Sequence, residues 1–158
     1  MTYSNFNHNN IQDFLKEPLA IYDHSPSLSF IDLLNDKFKL VELIQAGISF
    51  GLFEKIRAIF PFTMQDWSAF LDISPKSLQR YSNDKRRFKP IHSEKIIELA
   101  EVIVYGIEVF EDTSKLKLWL DTPSFALGRM RPLDLIKNSY GKELVMRELT
   151  AIEYGIFA

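Results

Sequence analysis

The chain has 158 residues, of which 46% are hydrophobic and 25% charged, a composition typical of one globular domain or two small ones and not of a disordered chain. Its net charge is −2, it contains no cysteine for disulfides or thiolate chemistry, and it has no apolar run near the roughly 20 residues of a membrane-spanning helix. The N-terminal sequence MTYSNFNHNN also lacks the pattern of a signal peptide. We therefore expect a cytoplasmic protein without membrane contact.

Residues 1–36 are expected to form an N-terminal arm that is partly disordered. The first 16 residues are rich in Asn, and Pro18 and Pro26 keep the following stretch irregular. A short helix from Ser29, over SFIDLLND, is the one regular element expected in this arm.

Residues 38–60 form a strongly apolar stretch. Its beginning fits strand alternation at Phe38 and Leu40 nearly as well as helical spacing. The pattern therefore leaves two alternatives there, a short strand or a helix. From Ser49 to Phe60 the apolar spacing predicts a helix that ends before Pro61. The phenylalanines of this region serve either a subunit interface or the core of the monomer: Phe38, Phe50, Phe53, Phe60 and Phe62.

Two short helices with a tight connection are predicted next. Thr63 is a good N-cap with Asp66 three residues later, and Ser74 caps a second helix whose first turn contains Pro75. The sequence LDIS connects the two helices. Apolar residues that hold such a pair together are present at Trp67, Phe70, Leu71, Ile73, Leu78 and Tyr81. The pattern indicates a helix-turn-helix.

The second helix opens a basic segment, residues 75–95. Seven cations stand there against two carboxylates, so the segment carries +5 and the rest of the chain −7. Such a segment indicates an anionic partner, most simply operator DNA, although a solvated charged loop has the same composition. Because the second helix of a helix-turn-helix enters the major groove, the candidate DNA-binding residues are Lys76, Ser77, Gln79, Arg80, Lys85, Arg86, Arg87 and Lys89.

The remainder of the chain predicts further helices. Ser93 is expected to cap a long helix with an apolar stripe that ends near Phe110. A short helix is expected from Thr122 and Pro123 to Gly128, and another from Pro132. Ser139 is the expected cap of the closing helix, whose buried stripe is Val145, Leu149, Ile152 and Ile156. Gly155 should end that helix and leave a short apolar finger, residues 156–158, with a terminal carboxylate.

Patterns for catalysis or metal binding are missing. The sequence AGISFG has neither Walker nor Rossmann spacing, and His8, His24 and His92 lack the spacing of zinc ligands. We predict no catalytic residue, no metal site and no cofactor, and we rank an enzyme of unknown reaction last among the alternatives.

The segment from Trp119 to Ala158, WLDTPSFALGRMRPLDLIKNSYGKELVMRELTAIEYGIFA, resembles the toxin-binding domain of Xre/MbcA/ParS-type antitoxins. The matching positions are Trp119, Leu120, Thr122, Pro123, Leu127, Gly128, Pro132, Gly141, Val145, Leu149, Ile152, Glu153, Tyr154, Gly155 and Phe157. Ser124 stands where the family usually has Asn, and Arg129 where it has a second Gly. The helix-turn-helix upstream also resembles this family, so the likeness covers about residues 45–158.

The resemblance implies a mainly α-helical fold. An Xre-like helix-turn-helix domain for DNA binding and dimerisation (residues 37–114) is followed by a small helical toxin-binding domain (residues 115–158). It also implies a homodimeric type II antitoxin that represses its own operon and neutralises a co-encoded toxin, commonly an NAD-consuming RES-domain protein. The implied toxin-binding residues are Arg129, Arg131, Glu153, Tyr154, Gly155, Ile156, Phe157 and Ala158. A stand-alone dimeric helix-turn-helix transcriptional regulator is the alternative.

Overall fold

The computed structural model describes residues 18–19, 28–60 and 62–156, and these residues are mainly α-helical, as predicted. A two-residue antiparallel pair, β1 (Pro18–Leu19) with β2 (Leu28–Ser29), precedes the helices. The helices are α1 (Phe30–Asn35), α2 (Lys37–Ala46), α3 (Phe50–Ile59), α4 (Met64–Leu71), α5 (Pro75–Asp84), α6 (Pro90–Phe110), α7 (Thr113–Asp121), α8 (Pro132–Leu135) and α9 (Ser139–Glu153).

Part of the predicted N-terminal arm, residues 1–36, has regular secondary structure. Ser29 and Asp32 form a capping box that begins α1, which confirms the predicted short helix. Phe38 lies in α2 and not in a strand, because the Asp36 carboxylate caps that helix by accepting from the Lys39 N–H. The predicted disorder concerns residues 1–17 and 20–27, which lie outside the described residues.

An aromatic cluster forms the core beside α4. The rings of Phe53 and Phe62 meet Trp67 edge to face at centroid distances of 5.1 and 5.6 Å. Phe60 is buried as well, Phe50 is half-buried, and only Phe38 of the five phenylalanines is largely exposed, at 86%. Most of these phenylalanines therefore serve the core of the chain itself.

Helix α6 is the central element of the fold and packs against α2, α4, α7 and α9. The prediction that Ser93 caps this helix was wrong. The helix begins at Pro90 with Lys89 as N-cap, and Ser93 is fully buried within the first turns. Its hydroxyl accepts from the Ile48 N–H at 2.9 Å and donates to the Phe88 carbonyl at 3.3 Å. Ser93 thus satisfies the backbone of a distant segment instead of capping its own helix.

The region after α7 also differs from expectation. Thr122 ends α7 by donating its hydroxyl to the Leu118 carbonyl at 2.6 Å, and Pro123 does not begin a helix. Residues 124–130 form a turn closed by a bridge between Ser124 and Met130. The closing helix is capped by the Asn138 side chain, which accepts from the Gly141 N–H at 2.9 Å, and not by Ser139.

The predicted end of the closing helix is confirmed. Gly155 has φ +65°, and the N–H groups of Gly155 and Ile156 donate to the carbonyls of Ile152 and Ala151. This is the Schellman arrangement that a glycine permits. The predicted buried stripe is correct at Val145 and Leu149 but wrong at Ile156, which is 64% exposed.

Candidate functional site

Helices α4 and α5 form the predicted helix-turn-helix. Thr63 and Asp66 make a capping box at the start of α4, and Ser74 accepts from the Ser77 N–H at the start of α5. Between them Asp72 has φ +50°, which makes the sharp turn. Leu78 is fully buried, so α5 has one face fixed on the core.

The opposite face of α5 is open to solvent. The candidates Lys76, Gln79 and Arg80 are exposed there, whereas Ser77 is half-buried beside the Ser74 cap. Asn83, which sequence analysis did not single out, is exposed on the same face and accepts a hydrogen bond from Gln79 at 3.1 Å. Its spacing of seven residues from Lys76 was a signal that could have found it.

The cations that follow α5 differ in what they contact. The Arg87 guanidinium donates to the Gly47 carbonyl at 2.8 Å, so this side chain joins the basic segment to the end of α2. Arg86 pairs with Asp84 at 2.9 Å. Lys85 and Lys89 are exposed and make no ion pair within the described residues. The role of all eight candidates in DNA binding stays a prediction.

His92 adds little positive charge to the basic segment near neutral pH. Burial lowers the pKa of its imidazole, and the nearby charge of Lys89 lowers it further, against a backbone hydrogen bond at Leu71 that raises it. The segment therefore depends on its lysines and arginines for attraction to an anion.

The turn before α8 carries the candidate Arg129. Gly128 and Arg129 have φ +66° and +63°, two left-handed residues in succession. The Arg129 N–H donates to the Ser124 carbonyl at 2.8 Å, and its guanidinium carbon lies 5.9 Å from the centre of the Phe125 ring. Phe125 itself is 82% exposed. The turn holds an aromatic ring and a cation in solvent.

Arg131 belongs to an exposed ion cluster on α8. It donates to Asp134 through Nε at 2.8 Å and Nη2 at 3.1 Å, and Lys137 donates to the same carboxylate at 2.9 Å. The Arg131 hydrogen bonds, followed by that of Lys137, lower the pKa of Asp134 to about 2. The same carboxylate raises the pKa of Arg131.

The end of α9 is tied to α6 through a hydroxyl that sequence analysis did not single out. The Tyr105 hydroxyl donates to Glu153 at 2.6 Å and lies 3.1 Å from the Thr150 hydroxyl. Because the carboxylate accepts this proton, the hydrogen bond with Glu153 raises the pKa of Tyr105. No sequence signal marks a contact across 48 residues.

The C-terminal tail, residues 154–158, begins after this contact with side chains that are exposed to solvent. Tyr154 is 71% exposed and Ile156 64% exposed, and Gly155 sits between them at the helix end. The candidates Phe157 and Ala158 lie outside the described residues.

The toxin-binding candidates form two groups. A Cβ at Gly141 would lie 1.9 Å from the Leu135 carbonyl, so α8 contacts the first turn of α9. Glu153 lies 12 residues later, roughly 18 Å along the helix. Arg129 and Arg131 thus lie near one end of α9, and the tail lies at the other.

Residues 18–19, 28–60 and 62–156 contain neither a candidate metal site nor a candidate membrane-spanning helix. No group of three or more His, Asp or Glu side chains there could hold a metal ion. Among the same residues, no helix combines the length and the hydropathy needed to cross a membrane.

Comparisons with known proteins match two family models to this chain. A family model for the antitoxin Xre-like helix-turn-helix domain matches residues 39–101. A second model, for the antitoxin Xre/MbcA/ParS C-terminal toxin-binding domain, matches residues 106–155. No curated protein sequence matches significantly.

Among solved structures, one similar chain comes from the crystal structure of the M. tuberculosis MbcT–MbcA toxin–antitoxin complex. The two chains are 22% identical with a TM-score of 0.51, and the match covers 62% of this chain and 86% of that one. At this identity the likeness concerns the fold.

Proposed function

The chain belongs to the Xre/MbcA/ParS-type antitoxins, and on this premise we propose that it neutralises a co-encoded toxin with its C-terminal tail and represses its own operon through α4 and α5. The proposed toxin is a RES-domain protein that consumes NAD. In this proposal the protein acts in the cytoplasm and binds operator DNA as a homodimer.

The observation that carries the toxin proposal is the open tail after α9. Leaving a side chain such as Ile156 in water forgoes about 1.5–3 kcal/mol of burial, which a partner surface would recover. Ile156 also leaves the helix in a defined direction, because the Schellman turn and the Tyr105–Glu153 hydrogen bond fix the last turn. Such preorganisation lowers the entropy that binding must remove.

The chemistry of the tail suits a pocket that binds NAD. A site for the phosphates of NAD presents cations, and a carboxylate with adjacent apolar groups can occupy it as an anion mimic. In this proposal Tyr154, Ile156 and Phe157 fill the pocket. Glu153 supplies the carboxylate by exchanging its hydrogen bond from Tyr105 for a toxin cation.

A truncation tests the toxin proposal. Deleting residues 156–158 should abolish protection of cells that express the co-encoded toxin of this proposal, while the circular dichroism spectrum and DNA binding stay unchanged. The matched control is Ile91→Ala, which shortens an isoleucine that is 70% exposed at the start of α6, outside the residues matched by the toxin-binding family model, and should still protect. Full protection by the truncated chain would show that the toxin is bound elsewhere.

The salt dependence of binding tests the DNA proposal. Each lost phosphate contact should reduce the slope of log affinity against log salt by about one. Lys85→Ala and Lys89→Ala are the sharpest variants, because neither lysine pairs within the described residues, whereas Arg87→Ala would also disturb the Gly47 contact. Binding to the DNA upstream of the gene is measured across a salt series, with Lys115→Ala on α7 as control. Unchanged slopes in both variants would contradict the proposal.

A further inference from the structure

One face of α5 carries two carboxamides that are already joined. Lys76, Gln79, Arg80 and Asn83 follow the spacing i, i+3, i+4 and i+7, and all four are exposed opposite the buried Leu78. Within this set the Gln79 Nε2 atom donates to Asn83 Oδ1 at 3.1 Å. The contact orients both amide groups on the face that a helix-turn-helix presents to the major groove.

The hydrogen bond leaves both amides able to recognise a base. A carboxamide has two acceptor sites on its oxygen and two N–H donors. After the mutual contact Gln79 keeps its whole oxygen and one N–H, and Asn83 keeps one acceptor site and both N–H groups. Adenine presents an N7 acceptor beside an N6 donor in the major groove, which Asn or Gln meets with one oxygen and one N–H. Each amide therefore retains the pattern for one adenine.

The hydrogen bond draws the two amide groups together along the helix. The backbone positions of residues four apart are separated by about 6 Å along a helix, whereas consecutive base pairs are ~3.4 Å apart. With Gln79 Nε2 and Asn83 Oδ1 in contact at 3.1 Å, the two side chains converge towards neighbouring base pairs. We infer that Gln79 and Asn83 act as a linked pair that reads two adjacent A·T base pairs. This inference rests on the proposed DNA binding and adds its sequence specificity.

The same contact would also be present in a helix that reads no bases, where it contributes only local helix stability. The two explanations differ in one measurable respect. A purely local contact leaves the preferred DNA sequence unchanged when Asn83 is replaced. A reading pair loses its preference at one base pair and keeps its affinity for phosphates, because the substitution removes no charge.

The experiment selects bound duplexes from a library with 20 random base pairs, using the full-length wild-type chain, Gln79→Ala and Asn83→Ala. We expect the wild type to enrich two adjacent A·T pairs. Each variant should lose discrimination at one of them by roughly 5- to 150-fold, the range for one bidentate contact. Gln45→Ala, which removes an exposed amide outside α4 and α5, should select the wild-type sequence.

A second measurement locates the contacted atoms. Replacing each selected adenine with 7-deazaadenine removes the N7 acceptor and keeps base pairing. The wild type should lose affinity at both positions, and Asn83→Ala should become insensitive at one. If Asn83→Ala selects the wild-type sequence with equal discrimination, the linked pair does not read bases, although DNA binding stands. If the wild type binds no duplex of the library, the proposed repression fails and this inference fails with it.

Discussion

Arg129 occupies a backbone conformation that ordinarily favours glycine. Its φ of +63° brings the Cβ of an L-residue close to its own backbone, at a cost of about 1–2 kcal/mol, and the positive φ of Gly128 before it adds no such cost. The sequence raised this conflict by placing Arg where the resembled family usually has a second Gly. The structure resolves it by keeping the turn and straining the arginine.

We expect Arg129→Gly to stabilise the chain. Relief of the strain exceeds the extra entropy that glycine has in the unfolded state, which leaves a gain of about 0.5–1 kcal/mol and a melting temperature higher by roughly 1–4 °C. Arg129→Ala is the control, because it removes the same guanidinium but keeps a Cβ at positive φ. Equal thermal stability of the two variants would contradict the strain argument. If Arg129 contacts the toxin, both variants weaken toxin binding alike.

The ion pairs of Asp134 predict that the stability of the folded chain depends on pH. Its folded pKa, about 2, lies below the ordinary value of 3.8, so its contribution to stability is present above pH 4 and is lost as the pH falls towards 2. The side chains are 39–45% exposed, which limits the effect of Asp134→Asn to about 0.2–0.4 M in the urea midpoint. We expect this difference from wild type at pH 6 and a smaller one at pH 3. A difference that does not change with pH would show that the ion pairs contribute nothing.

At the scale of elements, local signals in the sequence were reliable. The caps of α4 and α5 were predicted correctly because a cap and its partner lie within three residues of each other. Failures had two causes: a distant segment competed for the Ser93 hydroxyl, and local alternatives replaced the caps expected at Thr122 and Ser139. Ser93 satisfies Ile48 across 45 residues, and residues 124–130 close on themselves instead of forming a helix.

Two glycines in helices should respond in opposite ways to the same substitution. In α9, Gly141→Ala places a Cβ 1.9 Å from the Leu135 carbonyl, a backbone atom that can only move with α8. We expect a loss of about 3 kcal/mol in the free energy of unfolding. In α3, Gly51→Ala meets nothing within 4 Å and should gain about 0.5–1 kcal/mol from reduced unfolded-state entropy. Urea unfolding of both variants measures this, and equal effects would contradict the close α8–α9 contact.

At the scale of the whole molecule, the two predicted domains share one core. The buried cluster runs from Phe30 on α1 to Leu149 on α9.

Glu101 on α6 adds a polar connection, since its carboxylate accepts from Lys37 at the start of α2 at 2.8 Å and from Lys142 on α9. Burial would raise the pKa of Glu101, but the two lysines outweigh it and lower the pKa. Contacts across 64 and 41 residues leave no local signal, so the sequence did not predict this junction. The domain boundary after residue 114 stays a prediction.

The last prediction concerns the subunit interface of a homodimer. With Phe53, Phe60 and Phe62 in the core, Phe38 and Val41 are the large apolar side chains that are exposed among the described part of residues 38–60; they lie three residues apart on α2 and are 86% and 52% exposed. A helix-turn-helix that binds paired half-sites needs a two-fold partner. We expect the helix-turn-helix domain, which carries these two side chains, to form the interface with that partner.

We expect wild-type protein at micromolar concentration to have twice the chain mass by light scattering. Phe38→Asp should give the chain mass with an unchanged circular dichroism spectrum, because the side chain is not part of the core, and should weaken operator binding through the loss of the second half-site contact. Phe125→Asp is the control, since it charges an equally exposed ring, 82% accessible, outside α2 and should remain dimeric. A monomeric wild type excludes the dimer, and a dimeric Phe38→Asp variant places the interface on another surface of the chain.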